Sequence, residues 1–487
     1  MVEDKFLNER LDKVKKLQEM GVEPYPYEYK GYTFSENIQK EFSELKEGEN
    51  SNKKVKIMGR IMTKRDMGKA SFGHVQDQEG RIQFYLREED IDNFETFKLL
   101  DIGDIIGIEG EVFKTKKGEV TVWARNLTLL CKSLHPLPEK FHGLQDTEIR
   151  YRQRYVDLIA NPEVKKIFLL RSKIISTMRQ YLDTKGFTEV EIPVLQPVYG
   201  GASARPFKTH INAWDLDLYM SISPELYLKR LIVGGYEKVY IIGKNFRNEG
   251  VDKTHNPEFT MMECYWSGAD YNDMMELTED MYEYIAKKVI GTTEVEYQDK
   301  KISFKKPWKR LTMYDALKEY ANIDVTKLSD QELFDILDEN KVEYDGMTTR
   351  GLAIAALFEA LCEEHLIQPT FITDHPRDTS PLCKLKRGNE ELIERFEPYI
   401  NAWEIGNAYS ELTNPILQRK FLEEQAERGR GGDEEAHQMD EDFIRSVEYG
   451  LPPTGGLGLG VDRMVMLMVN AATIRDVIFF PTMRPEQ

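Results

Sequence analysis

Two runs of alternating residues carry the side chains best suited to chemistry. EKVYIIGKNFRNEG (237–250) and PEFTMMECYW (257–266) flank a short polar loop, VDKTHN, as the two strands of a hairpin would. Side chains two apart on a strand share a face, so Phe259, Met261, Glu263 and Tyr265 fall on one side of the second strand. On the first, Arg247 shares a side with Glu249. A basic residue, two carboxylates and two aromatics thereby converge on one pocket. The core of an apolar hairpin needs neither Arg247 nor Glu263, and burying either unpaired would cost on the order of several kcal/mol. A third strand, AWEIGNAYSEL (402–412), sets Asn407, Tyr409 and Glu411 on one face and leaves Glu404 at the wrong parity. A β-bulge near Ile405 and Gly406 would turn Glu404 back to that face, and regular pairing through Gly406 would exclude the bulge. Near the C-terminus, PPTGGLGLGVDRMVMLMVN (452–470) places a glycine-rich strand or turn before an apolar helix with Arg463 in its first turn. Such glycines let backbone approach a ligand closely, and Arg463 is suited to stack on a base or grip a phosphate. The run fits neither the P-loop nor the G-x-G-x-x-G fingerprint, which disfavours a kinase-like or dinucleotide-binding site.

The elements that must hold these residues follow from the rest of the chain. At 487 residues two or three domains are expected. With 41% hydrophobic and 31% charged residues, no apolar run long enough to span a bilayer and a charged stretch from Met1 to Met20, the expectation is a cytoplasmic protein without membrane attachment. Cys131, Cys264, Cys362 and Cys383 stand far apart, so neither a disulfide framework nor a zinc knuckle is indicated, and the eight histidines form no metal-binding pair. A formal charge of −18 argues against a protein that coats nucleic acid through its overall field. Residues 1–150 hold 25 Lys+Arg against 28 Asp+Glu, a balance of −3, so the N-terminal third is the least repulsive surface for a polyanion.

Leu7, Leu11, Val14 and Leu17 recur at helical spacing, with Arg10, Lys13, Lys15 and Lys16 on the remaining positions; this helix packs on the domain or touches a phosphate backbone. From Lys54 to about Leu130, short strand-like runs predict a small barrel. Pro136, Pro138 and Gly143 mark a linker, giving domains 1–145 and 146–487. The second begins with a helical stretch, Asn161 to Lys185, and is expected to contain a mostly helical insertion over about 311–397.

KGFTEVEIPVL (185–195), FRNEG with PEFTMMECYW, and GLGLGVDR resemble motifs 1, 2 and 3 of the class II aminoacyl-tRNA synthetases, in the family's order. SPELYLKR (223–230) and WEIGNAYSEL resemble the lysyl-tRNA synthetases in particular, rather than the aspartate or asparagine enzymes. The resemblance covers nearly the whole chain and implies an α+β multidomain protein. An N-terminal OB-fold β-barrel that binds the anticodon would precede a catalytic domain built on an antiparallel sheet with flanking helices. It implies that L-lysine is activated with ATP and Mg²⁺ and transferred to the 3′ end of tRNA(Lys), in a homodimer with Phe187, Val190, Ile192 and Pro193 at or near the subunit contact.

By that resemblance Arg247 bridges the substrate carboxylate and the α-phosphate, Glu263 and Gly201 hold the α-amino group, and Asn407 lines the pocket. Glu225, Tyr265, Tyr409 and Glu411 receive the side-chain ammonium, a cation that calls for carboxylates with aromatic or hydroxyl neighbours. Glu249, His255, Asn256, Phe259 and Arg463 bind ATP, with adenine between Phe259 and Arg463. Glu404 and Glu411 hold Mg²⁺. Arg65, Phe72 and Gln83 match barrel positions that contact the anticodon, an exposed ring being able to stack an unpaired base. The rivals are an aspartyl- or asparaginyl-type relative, a ligase that lysylates a protein, and a catalytically dead RNA-binding scaffold. An anticodon-type barrel argues against the second, and the presence of every motif residue against the third.

Overall fold

The computed structural model describes residues 2–138, 144–344, 346, 348–430 and 438–486. Contacts divide the chain into two compact units, Met1–Gln145 and Asp146–Gln487. Of the expected linker, residues 139–143, Gly143 among them, lie outside the described residues.

In the first unit five strands close into a barrel: Asn50–Asp66, Ala70–Gln76, Arg81–Arg87, Ile105–Lys114 and Val120–Cys131. Alternation sorts their faces. Ile82, Phe84 and Leu86 fill the interior, while Gln83 and Tyr85 between them point outward. The first helix, Val2–Glu19, seats Leu17 in this core. Two of its basic residues are spent on the barrel. Arg10 donates to the carbonyls of Ser133, His135 and Ile102, and Lys13 pairs with Asp101 at 2.5 Å.

The second unit is built on a nine-stranded sheet. From one edge its strands are Lys309–Thr312, Thr370–Thr373, Arg395–Ile400, Gly406–Ser410, Thr454–Gly460, Glu258–Ser267, Lys238–Phe246 and Thr188–Glu189, with Trp403–Glu404 paired off this path against Arg395–Ile400. Only the two outermost pairings are parallel. Helix Pro162–Thr184, with proline at its first position where a missing N–H costs nothing, packs with Tyr271–Ile285 and Val461–Val469 against one face. Phe187 is 5% exposed in that core, edge-on to Trp266, so the chain's own packing takes it; Pro193, Val194 and Leu195 of this stretch are exposed.

The stretch expected to be a mostly helical insertion is helical only in its first part, through Met313–Tyr320, Asp330–Glu339 and Arg350–Leu361. From Thr370 it turns into strands, two of which belong to the main sheet. Among the described residues no helix is long and apolar enough to cross a membrane.

Candidate active site

The hairpin forms as its pattern requires, with Ile241 opposite Glu263 and Asn245 opposite Phe259. Phe259, Met261, Glu263 and Tyr265 all line one cavity. Regular pairing stops at Phe246, but the Arg247 N–H donates to the Pro257 carbonyl at 3.0 Å, adding one further rung and fixing where the guanidinium starts. The Arg247 guanidinium carbon lies 5.1 Å from the centre of the Phe259 ring, and its buried Nε has no hydrogen-bond partner among the described residues. A preorganised cation with an unmet donor is what a negatively charged reacting group requires.

The neighbouring strand contains the bulge. Phe396 pairs with Ala408 and Tyr399 with Glu404, so three steps on one strand face four on the other. Ile405 sits in neither strand, while on the opposite edge Gly406 pairs with Leu459 in regular register. The bulge therefore exists toward Arg395–Ile400 alone, and it brings Glu404 into the cavity with Asn407 and Tyr409. Gly406 permits it, because a Cβ there would meet the Gly458 carbonyl at 2.5 Å.

At the cavity's end, Glu225 opens helix Glu225–Val233 and Glu411 follows the bulged strand. Both are buried, and Lys229, one helical turn after Glu225, pairs with each. The Tyr409 hydroxyl hydrogen-bonds Glu225, and Tyr265 packs beside Gly456. A Cβ on Gly456 would lie 2.0 Å from Glu411 Oε1 and 2.7 Å from the Tyr265 ring, so glycine leaves the space into which that oxygen points. Glu263 accepts from Ser223 Oγ at 3.0 Å. Burial, reinforced by the charge of Glu225, pushes its carboxyl up to about 8, against the pull of Ser223, Arg247 and Tyr265. Burial also raises Glu411 well above the usual range, Lys229 opposing and Glu225 adding to the effect.

The same cavity, about 570 Å³, is lined by Gly201, Glu225, Arg247, Glu249, His255, Asn256, Phe259, Asn407 and Arg463. It is large enough for an amino acid beside a nucleotide. A family described as "tRNA synthetases class II (D, K and N)" matches residues 146–484.

The chain belongs to this family.

An "OB-fold nucleic acid binding domain" matches residues 55–130. The chain is 51% identical to a lysine–tRNA ligase of Clostridium novyi (strain NT), over 99% of this chain and 94% of that protein. It is likewise 51% identical to one of Carboxydothermus hydrogenoformans, over 99% and 100%, and 50% identical to one of Clostridium botulinum (strain Hall), over 99% and 96%.

The structure of this class II synthetase adds neighbours to two of the expected groupings. Glu411 pairs through Oε2 with Lys229. Glu404 faces Glu397, whose charge, after burial, raises the Glu404 carboxyl while Arg463, Arg395 and Arg247 oppose it. Among the described residues no side chain pairs with the Glu404 carboxylate, and none of the His, Cys, Asp and Glu groups makes a cluster of three or more fit to hold a metal. A carboxylate raised by burial and by the charge of a second carboxylate, beside open space, suits Mg²⁺, which takes one or two protein oxygens and completes its shell with water and phosphate. The other grouping concerns Phe259: the guanidinium over its ring is that of Arg247, while Arg463 donates to the Glu404 carbonyl and lies 3.1 Å from His255 Nε2.

Sequence reasoning passed over Glu397, Arg395, Ser223 and Lys229. Glu397 precedes Glu404 by seven residues, and only knowledge that their strands pair would join them. Arg395 donates to Asn407 Oδ1 at 3.0 Å and to Glu397 at 2.5 Å, holding both. Lys229 was readable as the residue four after Glu225 on a helix.

On the barrel, Phe72 and Gln83 sit on outward-facing, half-buried positions and Arg65 is exposed opposite Phe72. The Phe72 ring is 4.5 Å from Tyr85, which continues to Phe113 and Trp123, so Phe72 belongs to an outer aromatic face rather than to the core. Gln83 is held by Glu119 at 2.7 Å and by Thr121 at 2.8 Å.

Proposed function

We propose that this synthetase is a lysine–tRNA ligase: it activates L-lysine with ATP to lysyl-adenylate and pyrophosphate, then esterifies the lysine to the 3′-terminal adenosine of tRNA(Lys). The observation that carries the reading is the buried Glu411 Oε1, which has no hydrogen-bond partner among the described residues and points past Gly456 beside Glu225, Tyr265 and Tyr409. An orphaned buried carboxylate oxygen costs on the order of 1–3 kcal/mol or more, and a ligand ammonium removes that cost. An aspartate or asparagine substrate would need a donor or cation at this end, and the cation present, Lys229, is already shared by two carboxylates.

The lysine carboxylate attacks the α-phosphorus in line and pyrophosphate leaves; the terminal tRNA hydroxyl then attacks the adenylate carbonyl, loses its proton and displaces AMP. Both nucleophiles belong to substrates, so the protein supplies position and charge. Arg247 meets the carboxylate and α-phosphate; Glu263 and Gly201 hold the α-amino group; Glu249, His255, Asn256, Phe259 and Arg463 hold ATP. Glu404 and Glu411, with Glu397 beside Glu404, are the residues to hold Mg²⁺, which when bound would offset phosphate charge. The reaction is assigned to the cytoplasm and to a homodimer, the exposed Val194 and Leu195 lying in the stretch that resembles the dimer motif.

Glu263 gives this reading a pH signature. With its carboxyl near 8 in the free site, it is mostly protonated at pH 7, whereas an ammonium beside it favours the ionised form. Lysine binding therefore releases a proton, and KM for lysine falls by roughly 3- to 10-fold from pH 7 to just above 8, then levels. Titration calorimetry in two buffers of different ionisation enthalpy reads the proton directly; no release at pH 7 would remove Glu263 from the α-amino site.

The transfer step is tested by aminoacylation. The wild-type chain charges tRNA(Lys) with lysine. Phe72→Ala, which deletes a stacking surface, raises KM for tRNA by roughly tenfold or more while leaving pyrophosphate exchange unchanged. Equal tRNA KM values would dissociate this aromatic face from the anticodon.

A further inference from the structure

We infer that Lys229 is a positioning residue that sets the amino-acid specificity of the site: a built-in counter-ammonium that holds Glu225 and Glu411 together and leaves the pocket short of one side-chain cation. The inference rests on the lysine reading above.

Lys229 is fully buried and does not line the cavity. Its Nζ is 2.5 Å from Glu225 Oε1, pairs with Glu411 Oε2, and lies 5.5 Å from the Tyr409 ring centre and 5.8 Å from that of Phe443. Phe443 belongs to the apolar cluster of Leu226, Leu228 and Ile444. The ammonium thus approaches the carboxylates from the core side. Glu411 Oε1 faces the opposite way, toward Gly456 on the cavity wall. Lys229 is therefore no plug in the substrate's place; it occupies the rear oxygens and aims the front ones.

Charge counting gives this arrangement its consequence. Three buried carboxylates, Glu225, Glu263 and Glu411, act on one another here. Lys229 answers one, and a bound lysine brings two ammonium groups for the others while its carboxylate meets Arg247. Without Lys229 the rear of the pocket would hold two carboxylates with no cation, and two such groups at close range share a proton instead of both ionising. A protonated oxygen can donate to a neutral hydroxyl and competes with an ammonium. The charge of Lys229 opposes protonation of Glu411 and so favours a cation over a neutral polar end group.

The test is Lys229→Met, assayed by ATP–pyrophosphate exchange with lysine and with its hydroxyl analogue, in which the terminal amine is replaced by OH. The expected result is a lysine KM raised by about tenfold or more with kcat little changed, and a fall of similar size in the ratio of kcat/KM for lysine to that for the hydroxyl analogue. An unchanged lysine KM, or equal losses for both substrates, would reduce Lys229 to a packing residue and overturn the inference. A crystal structure of the unaltered protein with L-lysine tests it without relying on the variant to fold. Lys229 is expected to stay between Glu225 and Glu411 with the substrate ammonium on the Oε1 side, and its displacement by the substrate would overturn the inference. If the wild-type chain shows no lysine-dependent exchange at all, the functional reading fails rather than this one.

Discussion

Arg247→Ala loses lysine-dependent ATP–pyrophosphate exchange by about 10³-fold or more in kcat/KM, while its thermal unfolding stays close to that of the wild type. The magnitude is that of removing a preorganised donor from a site where negative charge gathers. The structure gives the reason for the intact fold. Arg247 stands at the last hairpin rung, its side chain against the Phe259 ring with Nε unmet, so truncation removes no ion pair among the described residues. The backbone bond to Pro257 survives substitution. Near-normal exchange in this variant would refute the role given to Arg247, and loss of the folded state would show that its side chain is structural.

Glu411→Gln raises KM for lysine by about 10²-fold, with KM for ATP near wild type. The change is isosteric, so it removes charge and little shape. Loss of one partner from a desolvated charge pair costs on the order of 2–5 kcal/mol, and about 2.7 kcal/mol corresponds to that factor. The fold tolerates it because Lys229 keeps Glu225 as a partner at 2.5 Å. Pyrophosphate exchange at varied lysine, with ATP saturating, separates the two constants. An unchanged lysine KM would mean that the orphaned Oε1 faces something other than the substrate.

Legibility in the sequence tracked how local each feature is. The hairpin faces follow from alternation and a polar loop, both of them short-range, and the register confirms the grouping of Phe259, Glu263 and Tyr265. The bulge at Ile405 was readable because Gly406 stood where parity failed, yet its one-sided character depends on two different neighbouring strands. Pairings across the sheet were not readable. Glu404 meets Glu397 through antiparallel pairing of their strands, and Glu411 meets Lys229 across a helix and a strand about 180 residues apart. Thr370–Thr373 and Arg395–Ile400 were hidden by the helices before them, since short buried strands lack the alternation that marks a half-exposed one. The basic side of the first helix shows the same limit: Arg10 and Lys13 look alike in sequence whether they face phosphate or, as found, the barrel's own carbonyls and Asp101.

The central claim is that two buried carboxylates at the cavity's end select a side-chain ammonium. ATP–pyrophosphate exchange by the purified chain, run separately with lysine, aspartate and asparagine, tests it most directly. The account predicts exchange with lysine and none above background with the other two. Exchange driven by aspartate or asparagine, with lysine inert, would contradict it.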